Sequence, residues 1–378
     1  MEYILKHFDT PLLRFTANAD SAEPEYQITW INESQRNIFP LDIEDISEKE
    51  IDRWIRHRII PKNRAFVHDL LAKCGLNINR PMNIVSVCKG LSLNDCYWVT
   101  TGDSGDTFDR VNLYDKPISN VLASLVFTGY GSSIRSSLLT SPEFTTNGML
   151  PKCWRRIGGK IYLYKGGTSG ASNTGYEPYS EFYAAQIAEV MEITAVPYNL
   201  SKWKNTLCST CELFTSKDYA YMPVGRIIRS GGMKVVRNYY GNLGGNYLSA
   251  LQDMFLFDAV ICNTDRHFGN FGFLVDNHTN RIAAPAPLFD HGNSLFNLGG
   301  YSAWESDEAL DKYALTLRPS VYDDFIEEAK AVLTVQRKEK LRHLLEFRFR
   351  RHPRYNLPAK RLTMIEKQIR KRAAMLLE

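Results

Sequence analysis

The chain of 378 residues has no apolar run long enough to cross a bilayer, and its first residues, Met1-Glu2-Tyr3-Ile4, lack the basic start and long hydrophobic stretch of a secretory leader. A soluble, cytoplasmic protein with no membrane partner is expected. Cysteine is sparse and odd in number: seven residues are scattered from Cys74 to Cys262, which suits reduced thiols better than a disulfide framework. Only Cys208-Ser209-Thr210-Cys211 has metal or redox spacing. Without a second such pair it predicts two strand cysteines in different environments, not a zinc site. There is no internal repeat and no low-complexity segment. Also missing are the G-x-G-x-x-G loop of nucleotide-binding folds and the Gly-Lys-Ser/Thr ending of a Walker loop.

What the chain does have is apolar and aromatic mass. Hydrophobic residues make up 44%, with 20 Tyr and 19 Phe, enough for two or three domains' worth of core. The formal net charge is only +4, yet basic residues crowd the stretch from Arg337 to Arg372. There Leu341, Leu344 and Leu345, then Leu362, Ile365, Ile369, Ala373 and Leu376, recur at helical spacing. The charges therefore read as the solvated face of packed helices, and no direct nucleic-acid binding is expected.

The most specific segment is Asn263-Thr264-Asp265-Arg266-His267-Phe268-Gly269-Asn270, followed by the apolar run 271–275 and by Leu288-Phe289-Asp290-His291-Gly292. Asp265 and Asn270 stand at the D-x-x-x-x-N spacing of a phosphotransfer loop, in which the first residue takes the proton of the attacking hydroxyl and the second holds magnesium. Asp290 supplies a second metal contact. Magnesium prefers hard oxygen ligands, and a carboxylate with an amide oxygen provides them. Turn capping by Asn and Asp would give a similar pattern. Context favours chemistry: an apolar helix carrying Leu248, Leu251, Met254, Phe255, Ala259 and Cys262 runs into the loop, and two strand-like runs bracket Asp290.

The stretches 262–273 and 287–293 resemble the signature of HipA-like serine/threonine kinases, with a looser match in order from about residue 145 to the C-terminal helices. The resemblance implies a protein-kinase-like fold, ATP and Mg2+ as cofactors, a protein Ser/Thr hydroxyl as acceptor, and a toxin-like role beside a small DNA-binding antitoxin. Lys165, after the alternating run 161–164, is then the nucleotide-phosphate lysine, and Glu181, taken to open a helix with Ala184, Ala185 and Ala188 on its face, is its partner. Gly148 and Lys152, ahead of a strand pair 153–157 and 160–165 that turns at Gly158-Gly159, are candidate phosphate contacts, as is His267. The later cluster Gly166-Gly167-Thr168-Ser169-Gly170-Ala171-Ser172 reads as a mobile connection. Phosphorylation of Thr145 or Thr146 is a regulatory expectation of the same resemblance.

The expected architecture is α+β and bilobal. Residues 1–140 form an accessory module, 141–228 a β-rich small lobe with further strands at 206–215 and 219–228, and 229–378 a helical large lobe. Met222-Pro223-Val224 is the expected hinge against adenine. In the accessory module, strands at 3–8, 12–16 and 26–31 precede a helix capped by Ser47 and Glu50 and stopped by Pro61, with Trp54 in the core, and a second helix opening at Asn63. Two alternatives stay open. Phosphoinositide-type or small-molecule kinases share an Asp-Arg-His-x-x-Asn loop, and a pseudokinase would be a binding module only, although Lys165, Asp265, Asn270 and Asp290 are all present.

Overall fold

The computed structural model describes residues 1–102, 104–131, 140–170 and 174–378. It is a mixed α+β protein whose chain divides into two compact units. The first comprises residues 1–164, 213–222 and 274–283; the second comprises 165–212, 223–273 and 284–378.

The first unit opens with an antiparallel sheet of strands Glu2–His7, Thr10–Thr16, Gln27–Ile31 and Tyr97–Thr101, in the spatial order third, second, first, fourth. Tyr3, Leu5, Leu13, Phe15 and Val99 cover one face and pack on Ile51, Trp54 and Ile55 of the helix Glu48–Arg56. Ser47 caps that helix by accepting the Glu50 backbone N–H, so the capping pattern and the buried Trp54 are as the sequence suggests. The next helix, Val67–Lys73, starts later than expected from Asn63. Phe66 holds a left-handed backbone (φ 58°), with its ring against Gly129, where a Cβ would lie 2.7 Å from it. A residue so fixed cannot continue a helical turn.

Strands Lys152–Ile157 and Lys160–Gly166 turn over at Gly158 and Gly159, whose φ values of 58° and 85° suit a two-residue hairpin turn. Strands Tyr219–Pro223, Gly272–Asp276 and Arg281–Pro285 form a small sheet with the second in the middle. The expected strand 219–228 thus stops at Pro223, and the chain turns into the short helix Val224–Ile227. Both strands near Asp290 precede it and do not bracket it.

Two buried titratable groups of this unit oppose each other in pH. Burial raises the Glu143 carboxyl to about 7, against the pull of Arg64, while one of its oxygens accepts the Trp154 N–H at 2.8 Å and the other has no hydrogen-bond partner. Burial lowers the His7 imidazole to about 4. The folded state resists ionising Glu143, so that contribution is complete below about pH 4.5 and is lost as pH rises through about 7, whereas the His7 contribution is complete above about pH 6.5 and is lost as pH falls through about 4. Glu143→Gln removes only the first. In urea titrations, its stability relative to the parent should rise by about 3 kcal/mol between about pH 4.5 and about pH 7.5. A pH-independent difference would mean that Glu143 is already ionised without penalty.

In the second unit, the helix Glu177–Val190 packs on the hairpin Asn199–Trp203 and Thr206–Glu212. The helix begins before Glu181, with proline in its first turn, so Glu181 sits inside it and does not open it. The expected strand 206–215 ends at Glu212, and its partner Asn199–Trp203, too polar to stand out, had no sequence signal. Cys208 and Cys211 lie on that strand, one buried and one half-buried, and none of the seven cysteines is in a disulfide. The rest is helical: Gly232–Asn242, Tyr247–Ile261, Asp307–Thr316, Phe325–Ala331, Val335–Arg342 and Ala359–Leu377. On the last of these Leu362, Ile365, Ile369, Ala373 and Leu376 are buried, as the helical spacing required. Arg337 and Arg372 depart from the solvated-face pattern: Arg337 pairs with Asp253 at 2.8 Å, and Arg372 donates to the Ala259 carbonyl at 2.6 Å.

Candidate active site

The helix Tyr247–Ile261 is buried without a break from Met254 to Ile261 and ends at Cys262, which is left-handed (φ 52°) and donates back to the Asp258 carbonyl. The chain then turns sharply. Asn263 accepts the Asp265 backbone N–H at 3.1 Å, an Asx-type turn that lifts Asp265 out of the helix direction. Thr264 donates its N–H to the Asn293 carbonyl at 3.0 Å, and the Asn293 amide donates to Asp265 Oδ2 at 3.2 Å. The carboxylate of Asp265 is therefore aimed from a second segment.

Arg266 organises the surroundings. Its guanidinium is fully buried and forms a bidentate pair with Asp258 at 2.9 and 3.1 Å. It also donates to the carbonyls of Asn270 (3.2 Å) and Phe289 (2.5 Å) and meets His291 Nδ1 at 3.0 Å. Burial works against the Arg266 charge, but Asp258 outweighs it and holds the guanidinium ionised. Burial, and then that cation, push the His291 imidazole well below its usual range, so the ring is neutral and Nδ1 accepts. One cation thus ties the terminal helix turn, the Asn270 segment and the Asp290 segment together. Arg266→Lys loses the fork geometry and leaves Asp258 poorly paired, so a loss of about 3–5 kcal/mol is expected in chemical denaturation. Replacing both partners by apolar residues, Arg266→Met with Asp258→Leu, should cost less than the single change. A single variant as stable as the parent would contradict the buried pair.

The second group centres on Lys165. Its ammonium bonds Glu181 Oε1 at 2.6 Å and Asp290 Oδ1 at 2.5 Å. Lys165 and Glu181 are buried, while Asp290 is partly open at 30%. Burial alone would discharge the lysine, yet Asp290 and then Glu181 raise its pKa above the ordinary lysine value. Glu181 also accepts a hydrogen bond from the Ser209 hydroxyl, which lies 3.3 Å from the Lys165 carbonyl oxygen. Asp290 is left-handed (φ 57°), a conformation that Asp tolerates better than most residues, and its N–H donates to the Tyr198 hydroxyl at 3.1 Å. At Gly292 a Cβ would lie 3.6 Å from the Lys165 nitrogen.

Asn270 spends its amide nitrogen on the Asp265 carbonyl at 3.1 Å, which leaves the amide oxygen for a cation. His267 is exposed, and its Nδ1 accepts the Gly269 N–H at 3.0 Å. Gly225 lies tight against this loop: a Cβ there would sit 2.8 Å from that of Phe268, and the Val224 and Gly225 N–H groups donate to the Phe271 and Phe268 carbonyls. Of the hinge candidates, Pro223 and Val224 belong to this unit and Met222 to the other.

Gly148 and Lys152 also lie in the other unit. Gly148 has φ 90°, and a side chain there would strike the Lys152 ammonium. The Thr145 hydroxyl is buried and donates to the Leu91 carbonyl at 2.8 Å, while Thr146 donates to the Pro142 carbonyl at 2.7 Å. Phosphorylating either requires those bonds to open. Of the glycine cluster, Ala171 and Ser172 lie outside the described residues. Its Thr168 is fastened to Glu177 by backbone N–H and hydroxyl, at 3.2 and 2.6 Å.

Sequence reasoning gave no role to Asp258, Arg266, Asn293, Tyr198 or Ser209. Asp258 had a readable signal, a carboxylate inside Leu256-Phe257-Asp258-Ala259-Val260-Ile261. A charge in so apolar a run must be paired.

No family model matches the sequence, and no curated protein matches it. Among solved structures, the chain is similar to HipA in the complex of the Shewanella oneidensis MR-1 toxin–antitoxin system HipA, HipB and its operator DNA. The identity is 12%, the TM-score 0.53, and the match covers 98% of this chain and 96% of that one. The Helicobacter pylori proinflammatory kinase CtkA matches 61% of this chain and 90% of its own at 16% identity, with a TM-score of 0.49. At such identities the likeness is one of fold alone, carried by the first structure: this chain has the α+β fold of HipA.

Proposed function

We propose that the chain is an ATP- and magnesium-dependent kinase that transfers the γ-phosphoryl group to a Ser/Thr hydroxyl of a protein, itself included. The observation that carries this reading is the Lys165 ammonium, charged and held between Glu181 and Asp290 in the unit that also aims Asp265 and Asn270. The residues fit the cofactors. Asp290 and Asn270 offer a carboxylate and an amide oxygen. Magnesium sites of phosphotransfer enzymes take few protein oxygens, with phosphate oxygens and water completing the shell. Bound there, magnesium would neutralise charge on the phosphate oxygens.

Asp265 accepts the proton of the acceptor hydroxyl as its oxygen bonds the γ-phosphorus and the bond to the β-phosphate oxygen breaks, releasing ADP. Asn293 orients that carboxylate. Lys165 stabilises phosphate charge, and Glu181 fixes Lys165. Gly148, Lys152 and His267 are proposed phosphate contacts, with residues 1–140 as an accessory module, 141–228 as small lobe and 229–378 as large lobe. The fold's likeness to HipA further supports a toxin role beside a small DNA-binding antitoxin. Cytoplasmic action is part of the proposal; no helix among the described residues is long and apolar enough to cross a membrane.

The test is incubation of purified protein with γ-labelled ATP, with and without magnesium. Metal-dependent, acid-stable label on Ser or Thr is expected. A folded protein that labels nothing rejects the reading, and label on a lipid headgroup or small molecule transfers it to the alternative kinase class.

A further inference from the structure

The second unit holds a cavity of about 660 Å³ beside the helix that carries Glu181. Its walls are that helix, the chain 193–199 and the chain 350–353. The floor is apolar: Phe182, Ala185, Ala188, Ile193 and Val196. The rim is basic, with Arg350 and Arg351 exposed and Arg354 exposed just beyond. Arg350 pairs with Glu189 at 3.1 Å, but no carboxylate pairs with Arg351 or Arg354 among the described residues. An apolar pocket with a few convergent cations suits an apolar side chain flanked by carboxylates.

Two of the walls lead to the candidate active site. Gln186 exchanges two hydrogen bonds with the Arg350 backbone, accepting its N–H at 2.8 Å and donating to its carbonyl at 3.2 Å. The arginine segment is thereby clamped to the helix of Glu181. On the opposite wall, Tyr198 lines the cavity while its hydroxyl accepts the Asp290 N–H at 3.1 Å. Whatever fills the cavity touches one element that holds Lys165 through Glu181 and one that holds it through Asp290.

We infer that this cavity is a docking site for an acidic peptide segment bearing an apolar anchor, and that its occupancy tightens the Lys165, Glu181 and Asp290 arrangement. The anchor enters between Phe182 and Val196, and flanking carboxylates meet Arg351 and Arg350, the latter in competition with Glu189. Docking does not depend on the kinase reading, whereas the consequence for catalysis rests on it. A ligand that binds the ordered arrangement better than the loosened one shifts the equilibrium by that difference in affinity and no more.

The probe is a fluorescein-labelled peptide of alternating Asp and Glu with one central Phe, titrated into the full chain without nucleotide. Saturable binding is expected, weakened roughly tenfold or more by Arg351→Glu, by Ala185→Trp, which fills the cavity, and by replacing the peptide's Phe with Ala. Undiminished binding to both protein variants overturns the site. A peptide that binds equally without Phe is held by charge alone and overturns the apolar anchor. Coupling is read by hydrogen exchange: bound peptide should slow exchange in 177–190 and 287–293, and Tyr198→Phe should keep binding but lose protection in 287–293. Binding with no change in either segment overturns the coupling. Because neither readout uses ATP, absence of phosphoryl transfer would reject the kinase reading while leaving the docking result standing.

Discussion

Asp265→Ala should lower phosphoryl transfer by about 10²–10⁴-fold, the usual worth of a positioned general base, while the protein stays folded. Asp265 is half-buried, and its side chain is bonded to the Asn293 amide at 3.2 Å. Truncation strands one partly solvated donor, which costs about 1 kcal/mol, far less than the buried Arg266 pair supports. Single-turnover transfer from ATP, run beside thermal unfolding, separates the two effects. A variant with parental turnover would remove Asp265 from the mechanism. Asn293→Ala should fall between, since it loosens the aim of the carboxylate but leaves the base.

Lys165→Ala should abolish transfer and also cost about 3–5 kcal/mol of stability, the usual penalty for stripping one partner from a buried ion pair. A lysine facing an open cleft would be dispensable to folding. Here its side chain is 8% exposed and Glu181 is 0% exposed, so the variant leaves a buried carboxylate with Asp290 nearby and no cation between them. Burial already pushes Glu181 upward, so the orphaned group should take up a proton, and the stability deficit should shrink as pH is lowered. Adding Glu181→Ala should recover part of the stability and none of the activity, a non-additivity that a double-mutant cycle measures directly. Full activity in Lys165→Ala would reject the phosphate role, and parental stability would reject the buried pair.

The α+β class was legible because a few strong local signals survive any tertiary context: the Gly158-Gly159 turn, the Ser47 cap, the helical spacing from Leu362 to Leu376. The HipA-like fold was legible only through the resemblance of the stretches 262–273 and 287–293. Element boundaries were less so. Phe66 and Pro223 end or delay elements through contacts with distant residues, Gly129 in one case and the Phe271 segment in the other, and a local pattern carries no trace of those. At the candidate site, Asp265 and Asn270 were readable by their spacing and Asp290 by the motif around it, as proposed site residues. The residues that aim them were not. Asn293, Tyr198 and Ser209 act through single hydrogen bonds to partners far along the chain, and nothing in their own neighbourhoods distinguishes them from ordinary loop and strand residues.

Arg266 donates to a backbone carbonyl at Asn270 and to another at Phe289, next to Asp290. Two segments hung on one planar, delocalised group have few independent degrees of freedom. Displacement of one should therefore move the other, and their fluctuations should be correlated. Any rearrangement that carries Asp290 toward or away from a substrate therefore carries the Asn270 backbone with it. The spacing of the two carbonyl oxygens is then set by the two N–H bonds of one nitrogen, Nη1 of Arg266, and not by the angle of a hinge.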